Sequence, residues 1–325
     1  MSAASCPRCY GPVGAPGPCA TCAFDVPVQW LEGERVALAM TGARSSGKTV
    51  LIAVMMLAFE HFLAQQHEAF LDPLGDTRER FDNEYVKPLY HQRQLPKATP
   101  PAVARVIAPL LWAFSMRGRR FCLALTDAAG EDFERLDPRD AQFRYLGHVD
   151  LIVSLIDPLK VPSVATILDG LVAFPAEAGN DVAVLQQVLI ARRAHCPPQS
   201  GSQSLAIVLS KFDVIQHLRD VEAHPWQAIM NRPGSPLQRD PSMASPIDDP
   251  VDSDLLQSEL SGLLNLLGAG MLLAAANQSG MPWRLFACSA LGMPPTADAV
   301  NRGGITPYRV IDVLKAVLAM KGVTG

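Results

Sequence analysis

Three groups of residues have the types and spacing to do chemistry. The first is Gly42-Ala43-Arg44-Ser45-Ser46-Gly47-Lys48-Thr49, a glycine-rich turn between a short apolar run and a longer apolar stretch. Such a turn, opening a helix, points backbone N–H groups and the positive helix end at phosphate oxygens. Lys48 is then placed to reach the terminal phosphates of a nucleotide, and the Thr49 hydroxyl to ligate Mg²⁺. The bland alternative is a chance glycine-rich turn, against which the flanking strand and helix patterns argue.

The second group sits at the ends of later apolar runs. Residues 121–126 lead into Asp127-Ala-Ala-Gly130, where an acid can hold Mg²⁺ and a glycine N–H can meet a γ-phosphate. On its own this is a weak signal, because strands often end in an Asp-containing turn. Residues 205–209 lead into Ser210-Lys211-Phe212-Asp213. A carboxylate at Asp213 can accept two parallel hydrogen bonds from guanine N1–H and N2–H₂, which adenine does not offer, and the Lys211 stem can lie over a purine. Ser289-Ala290-Leu291 follows the last apolar run, with a backbone N–H near Ala290 available to guanine O6.

The third group is Cys6-x-x-Cys9 and Cys19-x-x-Cys22, which holds four of the seven cysteines. Two residues between thiolates let one tight turn offer both sulfurs, and two such turns make a tetrahedral set that suits Zn²⁺. A closed Cys₄ site leaves no position for substrate, so its expected role is structural. The module is poor in apolar residues, and metal binding can supply its folding energy. Unpaired thiols and redox disulfides are the competing readings. His195 beside Cys196 has no further ligand cluster nearby and reads as a helix end.

These groups need elements to position them. Residues 36–40 read as a buried strand and 50–62 as a helix. Residues 77–94 are helix-compatible, and 103–115 with 121–126 form a hairpin about the turn at 116–120. Residues 149–156, 205–209 and 284–287 read as strands, and 181–195 and 307–320 as helices. Alternating strands and helices imply a mostly parallel sheet covered on both faces. The expected fold is therefore α/β: a three-layer P-loop NTPase with one antiparallel edge strand, over residues 31–325, preceded by a zinc-ribbon-like module over residues 1–30. Residues 224–252, rich in Pro, Ser and Asp, read as a surface insertion.

The 325 residues are 49% hydrophobic and 18% charged, which describes a packed globule. A net charge of −4 and a pI near 6.0 argue against non-specific nucleic-acid or anionic-membrane binding. Residues 260–276 are too short for a membrane span and read as a buried helix. The N-terminus carries no secretory pattern, so a cytoplasmic location with reduced thiols is expected.

Taken in order, 42–49, 127–130, 210–213 and 289–291 resemble the signature elements of a Ras-like GTPase of the TRAFAC class, over most of residues 36–320. Ser210 departs from the family's usual Asn or Thr. The resemblance implies GTP or GDP with Mg²⁺, bound by Gly42, Ala43, Arg44, Ser45, Ser46, Gly47, Lys48, Thr49, Ser210, Lys211, Asp213, Ser289, Ala290 and Leu291. It also implies a switch threonine ahead of the hairpin; Thr99 holds that place, and Thr77 lies too early. Thr49, Thr99 and Asp127 would then surround Mg²⁺. Glu131 stands where many members place the glutamine that orients the attacking water, and Arg44 where Gly is usual. Arg44 is either an arginine finger in cis or a solvated bystander.

The long stretch before Thr99 is similar to the bacterial double-GTPase group, which is found beside regulatory partners in signalling and conflict-defence gene clusters. The implied activity is a GTP-hydrolysing switch, slow on its own, with Lys48, Thr99, Gly130, Glu131 and Arg44 as catalytic residues. Its partner would be a GTPase-activating protein or a second GTPase, with homodimerisation left open. A GTP-dependent assembly scaffold with negligible hydrolysis is the alternative. An ATP-dependent kinase or ATPase would require Ser210–Asp213 to be accidental.

Overall fold

The computed structural model describes residues 4–97, 107–135, 137–172, 179–197, 203–221, 225–296 and 299–324. The chain opens with two short strand pairs, β1 (Ala4–Ser5) with β2 (Pro12–Val13) and β3 (Gly17–Pro18) with β4 (Asp25–Val26). Helix α1 (Val28–Glu32) leads into β5 (Glu34–Thr41), and α2 (Lys48–His67) into β6 (Leu71–Pro73). Helix α3 (Thr77–Phe81) runs directly into a π-helical stretch, Asp82–His91, which contains Pro88. Proline has no N–H to give the regular ladder, which suits the wider turn.

Strands β7 (Leu110–Met116) and β8 (Arg119–Asp127) form the expected hairpin. Both residues between them, Arg117 and Gly118, have positive φ (53 and 73), the backbone that a two-residue type I′ connection requires. Then come α4 (Gly130–Glu134), β9 (Leu151–Ile156), α5 (Pro162–Ile167), α6 (Asp181–His195), β10 (Ser204–Leu209), α7 (Phe212–Gln216) and α8 (Trp226–Met230). The last elements are α9 (Pro250–Leu266), α10 (Gly270–Gln278), β11 (Trp283–Ala287) and α11 (Asp312–Met320).

The main sheet has seven strands in the order β11-β10-β9-β5-β8-β7-β6. The five from β11 to β8 are parallel, and antiparallel β7 lies at the far side, where three-residue β6 adds to it. This bears out the mostly parallel sheet with antiparallel pairing at one edge. Along β5, Val36, Leu38 and Met40 face one way and join α2 and α11 in a single core. Ala37 and Ala39 face the other way, toward α6, α9 and α10. Three layers follow from this period-2 alternation with both faces covered.

The expected helix over 260–276 is two helices. Gly268 takes φ 70 and the Ala269 N–H returns to the Leu264 carbonyl at 2.8 Å, so α9 ends in the left-handed cap that glycine favours. The last helix starts at Asp312 instead of 307, because Arg309 takes φ 51. Within the expected insertion, Trp226, Met230 and Leu237 are buried, and α9 already begins there, capped by the Asp249 carboxylate on the N–H groups of Val251 and Asp252. Among the described residues, α2 alone is long and apolar enough to cross a membrane; its Ile52, Phe59, Phe62 and Leu63 are buried in the core.

Candidate nucleotide site and metal centre

Strand β5 lies between β8 and β9, so the chain leaves its C-terminal end where strand order reverses, the usual crevice for ligands in an open α/β sheet. The loop at 42–49 occupies that point. Gly42 has φ 142 and Gly47 φ 90. A Cβ at Gly42 would come within 2.8 Å of Ser46 Oγ and 2.9 Å of the Leu155 carbonyl, so the tight entry to the loop depends on glycine. Lys48 opens α2 and folds back, donating to the carbonyls of Gly42 (2.7 Å) and Ala43 (3.2 Å). Burial pulls its pKa down to about 8, against the pull of Asp127 and Asp181. A buried lysine held by carbonyls and short of anionic charge fits a phosphate chain, which would restore the charge that burial opposes.

Four side chains that sequence reasoning missed shape this site, three clamping the loop and one orienting Asp127. The Asp181 carboxylate, at the start of α6, accepts from the Ala43 N–H (3.2 Å), the Asp157 N–H (2.8 Å) and Lys160 Nζ (3.3 Å). Lys160 Nζ also donates to the Arg44 carbonyl at 2.6 Å, and Glu134 accepts the Arg44 N–H at 3.0 Å. Burial pushes the Asp181 carboxyl up, opposed by Lys160. The fourth is Tyr85, from the π-helical turn, which donates to Asp127 Oδ2 at 3.1 Å. Asp181 was legible only as a helix start and Tyr85 only as part of a polar stretch; none of the four falls within a motif.

Gly130 packs so closely on the loop that a Cβ would lie 2.5 Å from Arg44 N. Glu131, next in the first turn of α4, pairs with the Arg44 guanidinium at 3.0 Å, each side chain about a third exposed. Two of the three residues that depart from the Ras-like pattern, Arg44 and Glu131, therefore meet each other. Thr99 lies outside the described residues. The rejected candidate, Thr77, is buried, and its Oγ1 accepts the Leu111 N–H at 2.9 Å.

The two segments expected to read the base also come together. Ser289 Oγ donates to Asp213 Oδ1 at 2.6 Å and accepts the Gly292 N–H at 2.8 Å, so one hydroxyl orients the carboxylate and shapes the following loop. Burial raises the Asp213 carboxyl, with the Ser289 bond opposing. Lys211 takes φ 51 and ties its ammonium to the buried Asp157 carboxylate at 2.6 Å. Ser210 Oγ turns back to the Ile156 carbonyl at 3.1 Å. Leu291 joins the core around α11, and its carbonyl accepts the Thr306 N–H at 3.0 Å.

A family model, Double-GTPase 2, matches residues 36–254, well over half of the chain. The chain belongs to the Double-GTPase 2 family. The matched region spans the phosphate loop, Asp127–Gly130 and Asp213, and ends before Ser289. Family membership implies a guanine nucleotide. The chain is also similar to a Mycolicibacterium smegmatis protein named Putative ESX-1 scaffolding and assembly protein SaeC. The two are 35% identical over 315 residues, covering 94% of this chain and 80% of the relative.

At the opposite end of β5, the four cysteine sulfurs lie within 4.8 Å of one another. The Cys6–Cys22 and Cys9–Cys19 sulfurs are each 3.7 Å apart, close to the ~3.8 Å edge of a tetrahedron with ~2.3 Å metal–sulfur bonds. The two turns are equivalent. Tyr10 N–H returns to the Cys6 carbonyl and Ala23 N–H to the Cys19 carbonyl, at 3.0 and 2.8 Å, and Tyr10 and Ala23 both take positive φ. Backbone N–H groups of Thr21 and Cys22 lower the Cys19 thiol to about 6, while burial raises the Cys6 and Cys9 thiols. The module packs on the GTPase-family domain through Tyr10, stacked 5.0 Å from His148; inside the module, the buried Trp30 indole N–H donates to the Ser5 carbonyl at 2.7 Å.

Proposed function

We propose that this Double-GTPase family member binds GTP and GDP with Mg²⁺ and hydrolyses GTP slowly as a molecular switch under the control of a partner protein. The observation that carries the reading is an arrangement along one edge of the sheet. The C-terminal ends of β5, β8, β10 and β11 lead, respectively, into the phosphate loop, Asp127–Gly130, Asp213 and its hydrogen-bonded partner Ser289.

Thr49 and Asp127 would hold Mg²⁺, joined by Thr99. Asp127 is buried and already oriented by Tyr85, which suits a ligand that must not turn away. The metal would neutralise charge building on the terminal phosphates. Lys48 would bind those phosphates, the Gly130 N–H would contact the γ-phosphate, and Glu131 would accept a hydrogen bond from the attacking water. Zn²⁺ would hold the Cys6–Cys22 module as a structural knuckle.

Two observations support a second reading, GTP-dependent assembly with negligible hydrolysis. Arg44 and Glu131 are engaged with each other, and the SaeC relative's name describes scaffolding and assembly of ESX-1. On this reading the chain would assemble with protein partners in its nucleotide-bound state. Nucleotide competition with GTP, GDP and ATP tests the shared claim, and equal affinity for ATP would defeat it. Single-turnover GTP hydrolysis separates switch from scaffold.

A further inference from the structure

The base-reading pair is not held by its own loops alone. The Ser289 backbone pairs on both sides with Tyr308, N–H to carbonyl at 3.0 Å and carbonyl to N–H at 2.8 Å. The Tyr308 ring stacks on Phe212, the residue before Asp213, with centroids 5.8 Å apart and planes 9° from parallel. Its hydroxyl donates to the Pro236 carbonyl at 3.1 Å. Tyr308 thus touches both halves of the pair, Asp213 through its neighbour's ring and Ser289 through the backbone.

Arg309 holds Tyr308 in place. Its side chain is 1% exposed and donates to Asp252 (2.7 Å) and Asp312 (2.8 Å), and to the Arg239 carbonyl at 3.0 Å. Its backbone N–H donates to Asp240 Oδ2 at 2.6 Å. The positive φ at Arg309, 51, is unfavourable for a long side chain and persists where surrounding contacts determine it. A planar guanidinium offering donors in a fixed fork can bind a carboxylate from α9, one from α11 and a carbonyl from the preceding loop at once; lysine cannot.

We propose that Tyr308 and Arg309 are positioning residues for the nucleotide base, setting the 289–292 loop against Asp213 by anchoring it to residues 236–252 and α11. The proposal rests on the guanine reading of Asp213. It gives the Pro-rich 236–252 segment a role in base selectivity that neither its composition nor its distance in sequence from Asp213 indicates.

The test measures dissociation constants for GDP, IDP and ADP with the full chain, wild type and two variants, alongside thermal unfolding. IDP keeps N1–H but lacks the 2-amino group, so the GDP-over-IDP ratio reports how well the Asp213 carboxylate is aimed. A purely structural role would weaken all three nucleotides in parallel and leave the ratio unchanged. Tyr308→Leu removes the stacking and the Pro236 bond, and is expected to reduce the ratio about fivefold or more, the worth of one hydrogen bond. Asp252→Asn, a milder change that keeps an acceptor toward Arg309, is expected to reduce it less. An unchanged ratio in a variant that remains folded overturns the proposal. Wild-type protein that holds ADP as tightly as GDP would overturn the guanine reading first, and this inference with it.

Discussion

Lys48 lets the phosphate site be tested by pH alone. Its free-state pKa is drawn down to about 8, burial being the largest cause, with Lys160 acting in the same direction and Asp127, Asp181 and Glu134 opposing. A nucleotide's phosphates favour the charged form, so binding must raise this pKa and take up protons. The affinity gained through the Lys48 charge is complete well below pH 8 and is lost as pH rises through that value. With a free-state pKa of about 8, roughly nine in ten molecules carry the charge at about pH 7 and one in ten at about pH 9. The GDP dissociation constant should therefore rise about tenfold between them, or about 1.4 kcal/mol. Displacement of a fluorescent GDP analogue measures this, and calorimetry in two buffers of different ionisation heat should find about half a proton taken up near pH 8. Lys48→Ala should bind weakly and without the pH dependence. A wild-type constant that stays flat between about pH 7 and pH 9, with no proton uptake, would refute the assignment of Lys48 to the phosphates.

Asp213→Asn should lose about a hundredfold in GDP affinity, for two charged hydrogen bonds of ~1.5 kcal/mol each, and gain in xanthosine diphosphate affinity, measured by the same displacement. The purified chain should carry about one zinc by metal analysis, and Cys6→Ser with Cys9→Ser should release it and lower the melting temperature. GDP affinity should change less than about twofold, because the module packs at the far end of eight-residue β5, about 25 Å from the loop at ~3.3 Å per residue. In single-turnover assays Arg44→Ala and Glu131→Ala should each slow hydrolysis more than they weaken binding. A fall of roughly a hundredfold or more in Arg44→Ala would mark an arginine finger in cis, while unchanged turnover in both would favour the scaffold reading. Their ion pair, about a third exposed, should add no more than ~1 kcal/mol to folding stability.

The parts of this protein that could be read along the chain are those whose chemistry is contiguous. A phosphate loop needs eight neighbouring residues between a strand and a helix, and each cysteine turn needs four, so both are written locally. The strands were legible for the same reason, since runs such as 36–40 and 205–209 are buried on both faces and stay apolar throughout. Asp213 and Ser289 could be named from their motifs, yet their hydrogen bond joins positions 76 apart and exists only because β10 and β11 are neighbours. What tertiary structure alone decided is everything that clamps the loop and orients Asp127. Asp181 meets Ala43 across 138 positions, Lys160 meets Arg44 across 116, and Tyr85 reaches Asp127 from a π-helical turn. The same holds for Glu131 meeting Arg44, two residues that sequence reading weighed separately, and for the Arg309 anchor of residues 236–252. A single Asp, Lys, Tyr or Arg has no spacing to betray it, because its partner is chosen by strand order and helix packing, and those are properties of the folded sheet.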